Sequence, residues 1–435
     1  MSRTTPQRIA IVTLGCSKNT VDSEVLMRQL DVNGLTLVDD PNTADTVIIN
    51  TCGFIDLAKE ESVNTIIEAS EMKKEGRIET LYVAGCLSER YRADLEKELP
   101  EVDRFFGVTD FAAILESLGG SFKRELLGER HLSAPSHTAY LKISEGCDRP
   151  CSFCSIPLMR GKHASKRIED ILHEAAFLHE LGTKEIVLIA QDTTSYGLDL
   201  YGERRLPELL RELARLRRAE WIRLMYAYPS HFPLETLDAL RDEDALCRYI
   251  DIPIQHIDDA VLKSMRRGIT RRATEELLLA MRERVPGIAL RSTLIVGYPN
   301  ESDAAFQTLY DFVKDFELDR LGVFLYSQEE NTSSWVLGDP IPHEVKIERR
   351  DAIMELQREI SQRKNEQRVG SAMRVLLDSV EGEYAVGRTE FDAPEVDNEV
   401  LIPVSAFDGP VPVGNFVDAI ITDAFEYDLH ATLRR

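Results

Sequence analysis

Three cysteines, Cys16, Cys52 and Cys86, sit in one repeated local setting, and that setting dictates a fold. Each time an apolar, strand-like run ends, a glycine adjoins the cysteine, and a segment of helical spacing follows. The runs cover residues 8–14, 46–50 and 80–84; the helical segments cover 17–30, 58–74 and 88–98, with Ser17 or Asn19 expected to cap the first. Strands that alternate with helices form a parallel sheet with helices on its faces. Ligands of such sheets bind outside the carboxyl ends of the strands. The three cysteines hold that position, so the fold should bring them together.

A second triplet is compact. Cys147, Cys151 and Cys154 form C-x3-C-x2-C within S-E-G-C-D-R-P-C-S-F-C. Three thiolates can hold an iron–sulfur cluster and leave one iron open to a substrate or cofactor. Zinc is the alternative, but its sites pair cysteines as C-x2-C and take four ligands, so His137 or His163 would have to complete one. The seventh cysteine, Cys247, lies in a polar segment and reads as an ordinary thiol. Clustered cysteines in a reducing compartment indicate metal or catalysis before disulfides.

The remaining sequence organises around these sites. Strand-like runs at 140–144, 185–190, 221–227, 249–254, 289–296 and 320–326 alternate with helical segments such as 168–181 and 274–284. Six such units fit a partial (β/α)6 barrel, whose sites lie at the carboxyl mouth. Residues 119–138 read as a linker and 342–367 as a charged amphipathic helix. Short strands at 373–380, 384–388, 399–403 and 416–423 then suggest a small antiparallel β-barrel. The expected fold class is multidomain α/β. Its parts are a Rossmann-like parallel-sheet domain (1–137), a barrel domain (138–367) and a terminal β-barrel (368–435).

Charge narrows the partners. The chain of 435 residues carries a formal net charge of −23, and residues 368–435 hold five basic against thirteen acidic residues. Phosphate contacts need Lys and Arg, whereas an acidic surface suits a basic protein. No apolar run approaches the roughly 20 residues that span a bilayer. The segment 1–7 is polar and lacks a secretory core, which leads to the expectation of a cytoplasmic protein.

C-x3-C-x2-C with Phe153 before its last cysteine resembles the radical S-adenosylmethionine (SAM) superfamily. G-C-S-K-N-T-V-D-S-E, N-T-C-G-F-I, A-G-C-L and the terminal β-region resemble the methylthiotransferases within it. That resemblance implies two [4Fe–4S] clusters and SAM. Cys147, Cys151 and Cys154 would bind the radical-generating cluster, and Cys16, Cys52 and Cys86 an auxiliary cluster that carries the sulfur. The terminal barrel would be TRAM-like. Phe153, Gln191, Arg223, Tyr226 and Gln255 are the expected cofactor contacts, the last three if their strands point them to the mouth; no further catalytic side chain is expected. Two departures stand out: Lys166 replaces the usual Arg after Ser165, and Asn300 the usual Gly after Tyr298-Pro299.

A-Q-D-T-T-S-Y-G and the acidic G-R-T-E-F-D-A-P-E-V-D resemble the branch that modifies an aspartate β-carbon of ribosomal protein S-twelve, free or in the small subunit. The alternative branch modifies adenosines of transfer RNA. One SAM would donate a methyl group and another the radical, with a low-potential donor such as flavodoxin or ferredoxin supplying electrons.

Overall fold

The computed structural model describes residues 7–126, 128–133 and 135–434. Most of the segment read as a polar start, Met1–Pro6, therefore lies outside the described residues, as do Leu127 and Ala134 of the expected linker. By internal contacts the chain divides into two compact units. The first comprises Met1–Ser133, Tyr140–Asp148 and Ser155–Phe177; the second comprises Ala134–Ala139, Arg149–Cys154 and Leu178–Arg435.

In the first unit, β1 (Arg8–Thr13), β2 (Thr36–Leu37), β3 (Thr46–Thr51), β4 (Thr80–Gly85) and β5 (Arg104–Phe105) form one sheet in the order β2-β1-β3-β4-β5. Every pairing is parallel. The period of two along each strand separates two cores. One side carries Ala10, Val47, Ile49, Leu81 and Val83 and packs on Ile66 and Ala69 of α2 (Asp56–Lys74) and Leu87 and Leu95 of α3 (Cys86–Glu98). The other side carries Ile9, Ile48, Tyr82 and Ala84. It packs on Leu26 and Leu30 of α1 (Ser17–Val32) and Ile114 and Leu115 of α4 (Phe111–Ser117). The two-residue strands β2 and β5 were not foreseen, being too short to show a period.

The second unit contains a six-stranded sheet. Its members are β6 (Thr138–Lys142, through its first residues), β9 (Glu185–Ile189), β10 (Trp221–Leu224), β11 (Leu246–Asp251), β12 (Ala289–Val296) and β13 (Arg320–Leu325). They lie in chain order from one edge to the other, and the sheet is open, as expected of a partial barrel. Between β6 and β9 in the chain, β7 (Ser144–Glu145) pairs antiparallel with β8 (Ala164–Ser165) in the first unit.

The terminal strands β14 (Ala372–Glu381), β15 (Tyr384–Arg388), β16 (Glu399–Pro403), β17 (Phe416–Ala424) and β18 (Asp428–Leu433) close into a barrel. Val375, Leu377, Ala385, Val400, Ile402, Ala419, Ile421 and Leu429 fill it. Four of its seams are antiparallel. The fifth, β16 against β18, is parallel, so the barrel is not wholly antiparallel. Among the described residues no helix is long and apolar enough to cross a membrane.

Candidate functional site: two cysteine triplets

The first triplet lies where the sheet predicts. Cys16 follows β1 and occupies the N-cap position of α1; neither Ser17 nor Asn19 takes that role, and Cys16 makes no side-chain capping bond. Cys52 follows β3, and Cys86 opens α3 directly after β4. Glycine is what allows the three ends to close on one another. A Cβ on Gly15 would stand 2.6 Å from Cys52 Cβ and 2.8 Å from its Sγ. A Cβ on Gly53 would stand 2.8 Å from the backbone of Leu87, and one on Gly85 2.4 Å from Asn50 Oδ1. Gly15 and Gly85 also hold φ of 91° and 96°, a region that side chains disfavour.

Polar groups lock this arrangement. Asn19 donates from Nδ2 to the carbonyls of Leu14 (2.8 Å) and Thr51 (3.0 Å), tying the end of β1 to that of β3. Ser62 accepts from the Cys52 amide and donates to its carbonyl, both at 3.0 Å. Cys16 is exposed, whereas Cys52 and Cys86 are buried. Burial raises the Cys52 thiol pKa and pushes that of Cys86 up to about 11, with neighbouring cysteines adding to both shifts. Such sulfurs need a cation beside them to become thiolates, and an iron–sulfur cluster would supply one.

Among the described residues no three His, Cys, Asp or Glu side chains form a ready-made set for a single metal ion. A single ion gathers its thiolates within a shell of about 2.3 Å. Cysteines of a cluster each take a different iron, so their sulfurs are spread more widely. Convergent strand ends, a glycine cradle and an all-thiol donor set fit a cluster.

Of the second triplet, Cys147 belongs to the first unit and Cys151 and Cys154 to the second. In the first unit, Gly146 holds φ of 75° and a Cβ there would meet the Lys162 carbonyl oxygen at 2.1 Å; the Cys147 amide donates to the Gly161 carbonyl at 3.1 Å. In the second unit, Cys151–Cys154 is clamped through its backbone. The Ser152 amide donates to Met265 at 3.0 Å, and its carbonyl accepts from Ser334 at 2.8 Å. Ser152 Oγ and Tyr298 Oη are 2.9 Å apart. Phe153 packs among Val261, Met265, Tyr298, Ile295 and Tyr326.

One arginine at Cys151, and a second at its neighbour Tyr228, were not foreseen from the sequence. Arg267 donates to Cys151 Sγ at 3.2 Å and to the Pro253 carbonyl at 2.5 Å. The Arg149 and Arg267 guanidinium groups each lie 4.1 Å from the centre of the Tyr228 ring, and Tyr228 Oη is 3.4 Å from Cys151 Sγ. Arg149 is held by Asp192 at 2.6 Å. Neither arginine belongs to a recognisable spacing, so only the fold could reveal them. His137 Nε2 meets Asp378 at 3.0 Å and His163 Nε2 meets Ser165 at 3.1 Å.

The expected cofactor contacts separate. Gln191 follows β9, Tyr226 follows β10 and Gln255 follows β11, all at carboxyl ends. Tyr226 (φ 58°) and Gln255 (φ 72°) adopt left-handed backbone, a strain that clusters at functional sites. Gln255 Oε1 is buried with no hydrogen-bond partner. Arg223 does not join them. Its side chain is wholly buried and donates to Glu185 at the start of β9 (2.7 Å) and to the Glu390 and Thr389 carbonyls (2.7 and 3.3 Å). It points away from the carboxyl mouth, and its donors are consumed.

The acidic D-A-P-E-V-D loop also differs from expectation. Asp392 is paired with Arg320 (2.5 Å), and Asp397 with Arg291 (3.3 Å) and Tyr249 Oη (2.6 Å), both carboxylates being buried. Of its acids Glu395 alone is exposed, so the loop is an internal strut and not an acidic face. Lys166, at the position where Arg is usual, pairs with the buried Glu174 at 2.6 Å, and Asn300 donates to the Ala260 carbonyl at 3.4 Å. Cys247 is buried in β11, where burial raises its thiol to about 12, in keeping with an inert thiol.

Three family models match along the chain: the uncharacterized protein family UPF0004 over residues 8–107, the radical SAM superfamily over 141–313, and the TRAM domain over 369–433. The ribosomal protein uS12 methylthiotransferase RimO of Flavobacterium johnsoniae is 53% identical, over 97% of each chain. The proteins of that name from Chloroherpeton thalassium and Bacteroides thetaiotaomicron are 51% and 48% identical over 98% of each chain.

The chain belongs to the uS12 methylthiotransferase family.

It is thus a radical SAM methylthiotransferase, an enzyme class whose cofactors are two [4Fe–4S] clusters and SAM. Among solved structures, the radical SAM methyltransferase TsrM of Kitasatospora setae is 16% identical with a TM-score of 0.54, covering 74% of this chain and 75% of its own. The cobalamin-dependent enzyme OxsB matches with a TM-score of 0.52 at 14% identity, over 80% and 56%. Both likenesses are of fold.

Proposed function

We propose that this methylthiotransferase places a methylthio group on the β-carbon of an aspartate in ribosomal protein uS12, free or in the small subunit. The observation that carries the reading is the cradle of Gly15, Gly53 and Gly85 that closes Cys16, Cys52 and Cys86 together, in a chain about half identical to uS12 methylthiotransferases along its length. A second triplet stands on its own supports, which suits two clusters with separate tasks.

Cys147, Cys151 and Cys154 would hold the cluster that binds SAM, and Cys16, Cys52 and Cys86 the auxiliary one. When bound, these cofactors supply an adenosyl radical and a methylated sulfur. The protein's own part is placement. Arg267 fixes Cys151 and neutralises charge beside it; Ser152 anchors the loop to Tyr298; Phe153 makes an apolar wall. Gln191, Tyr226 and Gln255 sit at strand ends where a cofactor would lie. A β C–H bond has no acidic character for a base to exploit, so general-base chemistry does not suffice. The three-part division at 1–137, 138–367 and 368–435, a cytoplasmic location and a low-potential donor such as flavodoxin or ferredoxin complete the proposal.

The test is mass spectrometry after anaerobic reaction of reconstituted protein with SAM, reductant and a peptide from the aspartate-bearing loop of uS12, with transfer RNA in parallel. The expected result is a methylthio mass gain on the peptide alone. A gain on transfer RNA alone would overturn the substrate.

A further inference from the structure

A buried quartet of charges lies beside Cys86. Arg160, the last residue of α5 (Ile156–Arg160), donates from Nε to Cys86 Sγ at 3.3 Å. Its other nitrogens donate to Asp22 Oδ2 (2.6 Å), Glu145 Oε2 (3.3 Å) and Asn19 Oδ1. Lys142 binds the same two carboxylates, Asp22 and Glu145 (2.6 Å to the latter). Two cations thus face two anions, and Asp22, Lys142 and Arg160 are nearly sealed from solvent. All these residues belong to the first unit.

Buried ion pairs seldom add much stability over apolar replacements of the same volume. What this quartet achieves is direction. Burial disfavours the charge of Arg160, but Asp22, Cys86 and Glu145 together hold it protonated. Asp22 and Glu145 fix one edge of the guanidinium, and Asn19, which bridges the ends of β1 and β3, fixes another. That leaves Nε–H aimed at the Cys86 sulfur. Arg160 lies six positions after Cys154 in the sequence, in a segment that no motif of the first triplet predicts.

We propose that Arg160 is a positioning residue for sulfur transfer: it orients the Cys86 sulfur and raises the reduction potential of the auxiliary cluster bound there. This rests on the assignment of that cluster to Cys16, Cys52 and Cys86. Hydrogen bonds to cluster sulfurs and nearby positive charge favour the more negative, reduced form. In a low-dielectric interior the effect is strong. The chemistry makes this useful. A cluster held there would supply sulfur to a carbon radical: one carbon–sulfur bond would form, one iron–sulfur bond would break, and of the three electrons involved two would fill the new bond and the third would remain with the cluster. A donor that accepts that electron readily releases its sulfur readily.

The test is a redox titration of the auxiliary cluster, followed by electron paramagnetic resonance. The full-length chain carries Cys147, Cys151 and Cys154 as alanines, so that one cluster signal remains. In this background R160L should lower the reduced-to-oxidised ratio at a fixed potential about tenfold, which for one electron is about 59 mV. R160K keeps the charge and the quartet but loses the directed Nε–H, and should lower the ratio roughly threefold. R160K is the deciding variant because its charge balance is that of the parent. A folded R160K that holds iron and titrates like the parent overturns the proposal. So does an R160K that loads no iron, because three cysteines are proposed to hold the cluster without Arg160's help. If the parent background itself binds no iron, the cluster assignment fails and the role of Arg160 falls with it, whereas a parent that binds iron leaves R160K to decide that role alone.

Discussion

Gly15 and Cys52 stand so close that a single methyl group between them would lie 2.6 Å from Cys52 Cβ. Gly15 also holds φ of 91°. Substitution to Ala therefore combines a backbone penalty of about 1–2 kcal/mol with a contact that forces the end of β1 away from that of β3. The expected outcome for Gly15→Ala is a loss of roughly 2–4 kcal/mol in urea unfolding together with loss of iron at the first triplet. Gly34, where a Cβ would meet nothing within 4 Å, is the control: at φ of 77° it should lose stability but keep iron. Equal iron loss in both variants would remove the special role of the cradle.

Arg223 separates a structural from a cofactor role. Its partner Glu185 also receives Arg388 at 2.8 Å, so Arg223→Met leaves that carboxylate paired but strands two backbone carbonyls. A destabilisation of about 3 kcal/mol is expected, with SAM affinity unchanged in the folded protein. Isothermal titration with SAM and urea unfolding read the two quantities. Weakened SAM binding at unchanged stability would restore the role expected from sequence.

Arg267 should behave in the opposite way. Arg267→Lys keeps a charge but loses the planar fork that reaches both Cys151 Sγ and the Pro253 carbonyl. Reductive cleavage of SAM to 5′-deoxyadenosine is expected to fall about tenfold or more, as for a misplaced reacting group. Cleavage at the parent rate would show that Cys151 is held without it.

The buried His256 gives the fold a pH dependence. Burial lowers its pKa to about 4 from the usual 6.5; Asp258 opposes this and Arg349 adds to it. Its Nδ1 accepts from the Asp258 amide at 3.0 Å, while Glu301 lies 3.9 Å from Nε2. The folded state thus binds fewer protons than the unfolded state between about pH 4 and 6.5. Its contribution is present above pH 6.5 and is lost as pH falls towards 4, amounting to about 3 kcal/mol at most. Urea unfolding at pH 7 and pH 5 should show a smaller loss in His256→Gln than in the parent. Equal slopes would contradict a neutral, buried His256.

The fold was legible where a period runs for several residues. The long strands and helices of both βα series, and four of the five strands of the terminal barrel, match their sequence patterns within a few residues. The strand-end position of Cys16, Cys52 and Cys86 was legible because each cysteine adjoins a glycine at the end of an apolar run. What sequence could not supply were long-range partners. Arg160, Arg267 and Arg149 reach cysteines or their neighbours through contacts that leave no spacing behind. Arg223 and the acidic loop around Asp392 are engaged internally for a related reason: a charged residue can face a mouth or solvent or satisfy a buried partner, and only packing decides.

The central claim is that the two triplets do different work. The most direct measurement compares Cys52→Ala with Cys151→Ala in the anaerobic reaction, recording 5′-deoxyadenosine and methylthiolated uS12 peptide together. Cys52→Ala should still form deoxyadenosine and make no methylthio product; Cys151→Ala should form neither. A Cys52→Ala protein that still methylthiolates the peptide would contradict the account.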